Sequence, residues 1–176
     1  MLKQRKQIRL RKYDYSKSGY YYVTVCTQNR ECIFGNIVIN IVGARRNAPK
    51  IMKLNEYGLI VNNVLESLSK HHPVELDTYQ IMPNHIHMIV IILDVSGRSR
   101  PTPTHKYSYK PTLGFIVGIL KTECTSQINK LRNTPGQKLF QRNYYEHIVR
   151  NEIELFKIRE YIKNNPLFWN NDINYA

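Results

Sequence analysis

The chain has 176 residues, room for one domain with a substantial core, and its 26 Lys+Arg against 13 Asp+Glu give a net charge of +13. Such an excess favours polyanionic partners and says little about fold. The odd set Cys26, Cys32 and Cys124 matches neither a disulfide framework nor a zinc motif, and the longest apolar run, 88–93, is too short to span a bilayer. A reduced, cytoplasmic protein without membrane attachment is therefore expected.

In chain order, Lys3, Arg5, Lys6, Arg9, Arg11 and Lys12 crowd the start with no acid among them, so 1–18 is expected to be a basic arm. Residues 20–27 are aromatic and β-branched and predict a first strand. A second short strand or ribbon is expected over 32–42, followed by a loop over 43–50 that carries Arg45, Arg46 and Lys50. Tyr57, Ile60, Val61, Val64, Leu65 and Leu68 repeat at helical spacing, which predicts a helix over 55–70. Two strands, 74–82 and 85–93, follow as a hairpin turned at Pro83-Asn84. The second has apolar residues on both faces, as a central, covered strand does.

Residues 94–111 lack periodicity and carry Arg98, Arg100, Lys106 and Lys110, so a mobile loop is expected. A long helix then presents Leu113, Ile116, Val117, Leu120, Cys124, Ile128 and Leu131 as its inner stripe. Its outer side offers Lys121, Thr122, Thr125, Asn129 and Lys130. Residues 140–149 predict a strand and 152–164 a last helix, with Pro166 disfavouring α geometry at Asn165. Strand, helix, two strands, helix, strand is the order of an α+β, ferredoxin-like split β-α-β sandwich with an antiparallel sheet and an appended C-terminal helix.

His85-Ile86-His87 opens the central strand, where a period of two places both imidazoles on one face and Ile86 on the other. Two such rings can converge on one metal ion or one phosphate. In the last helix Tyr161 and Asn165 are four residues apart on one edge of the stripe Leu155, Ile158 and Ile162. The helix can thus pack while aiming a phenol and an amide at the sheet. Taken singly, each residue also has a plain structural role: core histidines, a half-buried tyrosine, a C-terminal cap. Tyr144 and Tyr145 are rival nucleophiles by proximity, but strand tyrosines more often pack or stack. His147 fits a structural hydrogen bond better than a place among the reacting groups.

Together these residues resemble a family. Met82-Pro83-Asn84 before the histidines, the stretch Gln141-Arg142-Asn143-Tyr144-Tyr145-Glu146-His147, and Asn165-Pro166 after the tyrosine are similar to the single-tyrosine HUH transposases, most of all the REP-associated tyrosine transposases. The similarity runs from about Tyr13 to Trp169. It implies a catalytic domain over 19–169 and a tail over 170–176. It also implies His85 and His87 as metal ligands, Asn165 as a third through its side-chain carbonyl, and Tyr161 as the nucleophile.

The implied activity is single-strand DNA cleavage and strand transfer through a covalent 5′-phosphotyrosine. Ligand softness alone suggests zinc, whereas the resemblance implies Mg²⁺ or Mn²⁺. Single-stranded or hairpin DNA is the expected partner of a monomer or homodimer, with Arg5, Arg9, Arg11, Lys12, Arg45, Arg46, Lys121, Arg142 and Tyr144 as candidate DNA contacts. The alternative is a non-catalytic DNA- or RNA-binding module of the same fold. It shares the basic patches and tyrosines but has no need of a helix-borne tyrosine beside two histidines.

Overall fold

The structure, a computed structural model, describes residues 13–39, 49–94, 109–172 and 174. Arg5, Arg9, Arg11, Lys12, Arg45 and Arg46 lie outside the described residues, as does most of the loop expected over 94–111. The elements are β1 (Gly19–Cys26), β2 (Gly35–Ile39), β3 (Lys50–Leu54), α1 (Glu56–His71), β4 (Val74–Ile81), β5 (His85–Ile92), α2 (Leu113–Leu131), β6 (Tyr145–Val149) and α3 (Glu152–Asn164).

The main sheet has the order β4-β5-β1-β6 with every pairing antiparallel. Adjacency of the first and third strands of the sheet is the mark of the split β-α-β arrangement expected from sequence. The pleat sorts the side chains. Tyr21, Val23 and Val25 of β1 and Ile86, Met88, Val90 and Ile92 of β5 join the main core with buried residues of α1 and α2. Ile89 faces the other way and packs with Leu155 and Ile162 of α3, flanked by Tyr20, Tyr22 and Ile158. His85 and His87 share the parity of Ile89, so they stand on the α3 side of the sheet.

Local chemistry sets the helix starts. The side chains of Asn55, Thr112 and Asn151 cap α1, α2 and α3 by accepting from Gly58, Phe115 and Glu154 N–H. At Gly58 a Cβ would stand 2.2 Å from the Phe34 carbonyl oxygen, so the first turn of α1 tolerates no side chain there.

The structure departs from expectation at four places. The ribbon expected over 32–42 is only Gly35–Ile39, and its partner is β3, a strand that charge had hidden. Lys50 and Lys53 interrupt the apolar residues of β3, which suits an exposed two-stranded ribbon. The strand expected from 140 starts at Tyr145, because Phe140 makes an isolated bridge with Thr27 and Lys121 then holds the chain off the sheet. Leu131 is exposed at the last turn of α2, beyond the reach of the core. Asn165 keeps α geometry, φ −55° and ψ −40°, despite Pro166. The chain runs on as a 3₁₀ turn, Asn165–Asn171, whose first positions need no N–H from proline. Burial of Asn165 and Pro166 offsets the crowding before proline.

Candidate active site

His85 and His87 are buried on β5, with ring centroids 4.4 Å apart. Their Nε2 atoms lie 2.9 Å from each other, so both rings turn the same nitrogen to one point. Asn84 sets the orientation of His85. Its amide nitrogen donates to the carbonyls of Arg30 and Asn174, which leaves its Oδ1, 2.8 Å from His85 Nδ1, as acceptor. His85 therefore carries its proton on Nδ1 and presents the Nε2 lone pair, a tautomer able to ligate a metal. His87 Nδ1 lies 2.9 Å from both Tyr22 Oη and Thr24 Oγ1, two hydroxyls able to donate or accept. Burial, then the neighbouring His87, pushes His85 down to about 3, and burial lowers His87 as well. Both rings are neutral at physiological pH, the form that ligates.

Tyr161 reaches this pair from α3. Its ring centroid lies 5.3 Å from that of His87 and 6.4 Å from that of Tyr22 within the same chain. The third participant is Asp172, in the stretch read from sequence as a tail. Its Oδ2 accepts from Asn165 Nδ2 at 2.7 Å and from Tyr161 Oη at 3.4 Å, and stands 3.9 Å from His87 Nε2. Burial works to raise this carboxyl. His87 beside it, with hydrogen bonds from the Asn174 N–H and Asn165, outweighs burial and holds the group well below the usual carboxylate range. Burial, then the charge of Asp172, raises Tyr161.

His85, His87 and Asp172 each offer a ligand atom, all within 4.8 Å of one another, so the cluster can hold a metal. Asn165 is buried, and among the described residues its Oδ1 has no hydrogen-bond partner. An unsatisfied buried carbonyl beside two imidazoles and a carboxylate fits a cation, because such an atom is costly without one. Sequence reasoning missed Asp172. The available signal was an acid seven residues beyond Asn165, following Trp169, whose buried ring packs 5.8 Å from that of His85 and anchors the segment.

A cleft of about 560 Å³ opens on the cluster, walled in part by Tyr22, Arg30, His87, Tyr144, Tyr145 and Tyr161. Arg30, in left-handed conformation at φ 58°, brings a cation to it. Lys121 holds the wall by donating to the carbonyls of Gln141, Arg142 and Asn143, and stands over the Tyr144 ring. Tyr145 meets Tyr22 edge-on. His147 bonds Glu154 at 2.6 Å, the structural role its strand position suggested.

No protein-family model matches the chain. A protein of Haemophilus influenzae whose function is uncharacterized is 37% identical, over 98% of this chain and 93% of its own length. A second protein of that organism, assigned by name to the REP-associated tyrosine transposases, is 23% identical over 88% of this chain and 73% of its own. Among solved structures, that of a REP-associated tyrosine transposase bound to a REP hairpin superposes with a TM-score of 0.60 at 17% identity, covering 90% of this chain and 72% of that one. In sequence and in fold the chain is thus similar to REP-associated tyrosine transposases. A four-stranded antiparallel sheet and three helices among the described residues match the fold of that solved transposase. Among the described residues, no helix is long and apolar enough to cross a membrane.

Proposed function

We propose that the protein is a single-strand DNA endonuclease and strand transferase of the REP-associated tyrosine transposase type, with Tyr161 as its nucleophile. One observation carries this: the Tyr161 ring lies 5.3 Å from His87, whose Nε2 shares one point with that of His85. A binding module has no use for a phenol beside two buried, neutral imidazoles and a carboxylate.

Tyr161 Oη attacks the scissile phosphorus, the bond from phosphorus to the 3′ oxygen breaks, and that oxygen takes a proton to become a 3′ hydroxyl. The 5′ phosphate stays on the tyrosine, and attack by a 3′ hydroxyl reverses the step and joins strands. The phenolic proton passes to solvent, and Asp172 Oδ2, the acceptor of the phenolic hydrogen bond, orients the hydroxyl. Tyr22 and Thr24 hold His87, Asn84 holds His85, and Arg30 offers positive charge to the phosphate. A divalent cation, Mg²⁺ or Mn²⁺, held by His85, His87, Asp172 and the Asn165 carbonyl, would supply Lewis acidity to the phosphate and offset the carboxylate charge that disfavours a phenolate. Two nitrogens with two oxygens form a harder donor set than the histidines alone, one that accommodates Mn²⁺ or Mg²⁺.

The test is trapping. Wild type incubated with a labelled hairpin oligonucleotide and Mn²⁺ should carry a denaturation-resistant adduct that maps to Tyr161. Tyr161→Phe should bind the oligonucleotide and form none, and a chelator should suppress the adduct. An adduct at Tyr144 or Tyr145 would reassign the nucleophile. Cleavage without any adduct would make water the nucleophile and remove the transposase chemistry.

A further inference from the structure

A second groove, of about 970 Å³, runs between the outer side of α2 and the segment 133–142. Among the described residues, four cationic ones line it, Lys121, Lys130, Lys138 and Arg142, and no acidic residue does. Charge of one sign along one cleft marks a path for a polyanion. Gln141 lines both this groove and the cleft at Tyr161, so the two adjoin at that residue. Half-buried Tyr144 and exposed Tyr145 stand on the cleft side of the junction, where unpaired bases can stack.

The wall is built in advance. Segment 133–142 has almost no regular structure, yet Asn129 donates to the Gln137 carbonyl at 2.8 Å and takes two bonds from Arg132. Gln28 N–H donates to the Leu139 carbonyl, and Gln141 N–H to that of Cys26. Lys121 spends its ammonium on three successive carbonyls of this wall. A groove already held in shape loses little entropy when a flexible strand enters it.

We propose that this groove holds the single-stranded DNA flanking the scissile phosphate, led away from Tyr161 across Gln141. The assignment rests on the cleavage function proposed above, and its test separates the two. The probes are a DNA hairpin without a tail and the same hairpin with an oligo-dT tail of about ten nucleotides, on its 5′ or its 3′ end. Binding is measured in the Tyr161→Phe background, so no cutting intervenes. One of the tails should raise affinity, and the double change Lys130→Glu, Lys138→Glu should abolish that gain, about tenfold or more, while moving affinity for the untailed hairpin less than about twofold. Neutral Lys130→Gln, Lys138→Gln should lower the salt slope of the tailed probe by about 1.4, or 0.7 for each lost phosphate contact.

Photo-crosslinks from bromodeoxyuridine in the tail should map to α2 and 133–142. The inference is overturned by an equal loss for both probes, by no loss, by no binding of either probe, or by crosslinks confined to other surfaces. A Tyr161 adduct in wild type together with a tail insensitive to these changes removes the groove alone. A tail effect without an adduct removes the cleavage chemistry alone.

Discussion

Asp172 brings negative charge to the histidine pair and Tyr161. Without it, two imidazoles and an amide form a thin, neutral ligand set. With it, a buried carboxylate, its side chain 1% exposed, joins the phenol, the amide and the second histidine. Asp172→Asn keeps the shape and removes the charge. Wild-type protein should melt higher as Mn²⁺ is added, by about 2.7 kcal/mol of stabilisation at a hundred times the dissociation constant. Asp172→Asn should lose most of that rise and form the Tyr161 adduct at least about tenfold more slowly, the loss typical of a weakened metal site. An undiminished melting shift, followed by calorimetry, would remove Asp172 from the ligand set.

At the scale of elements, α3 must be held in register for Tyr161 to reach His87. An extra residue between Leu76 and Tyr79 bulges β4, and Asp77 in that bulge accepts two bonds of 2.8 Å from the Arg159 guanidinium. Tyr161 lies only two residues further on. Arg159→Lys keeps the charge but loses the planar fork. It should cost about 0.5–1.5 kcal/mol in urea denaturation and slow adduct formation severalfold with little change in DNA affinity. Unchanged rate and stability would show the bridge to be idle.

The turn from β6 into α3 depends on Glu154, whose carboxylate accepts from Arg150 N–H and pairs with His147. Those two bonds, the Arg150 backbone first, lower its pKa. A group lowered in the native state contributes stability above its unfolded pKa and loses it as pH falls through the native value. Glu154→Gln should therefore melt below wild type at neutral pH. The gap should hold down to about pH 4.5 and close in stronger acid, as thermal scans across pH would show. A gap that widens in acid would contradict the assignment.

For the whole molecule, a charge of +13 spread over 176 residues makes long-range attraction to DNA unavoidable. Affinity for a hairpin with a single-stranded tail should fall with salt at a log–log slope of about −0.7 for each phosphate contact on the single strand. Six such contacts mean a loss of a few hundred-fold between about 50 and 200 mM salt. Titrations at several salt concentrations measure the slope, and a flat profile would leave the basic surface without a nucleic-acid role. The architecture puts general attraction and local chemistry in different places. The cations of the α2 groove lie on one side of Gln141, and the neutral histidines and Tyr161 on the other.

Sequence alone determined what depends on near neighbours. The stripes of α1, α2 and α3, the alternation in β1 and the double-faced β5 are periodic patterns, and a period needs no knowledge of distant residues. Parity likewise placed His85 with His87, and helical spacing placed Tyr161 with Asn165, before any packing was known. One short strand escaped, because β3 has too few residues and too much charge for a pattern, and β6 is shorter than expected because a lysine on α2 holds the chain before it. Only the tertiary structure decided which of these pairs meet. The sheet order set β5 beside β1 so that Tyr22 and Thr24 face His87, and the bulge with Arg159 fixed α3 above it. The 3₁₀ turn then carried Asp172 back to the histidines, 85 residues along the chain from His87. No spacing rule reaches across such a loop, because contact there is settled by the burial of Trp169 and the bonds of Asn165 and Asn84 rather than by any local repeat.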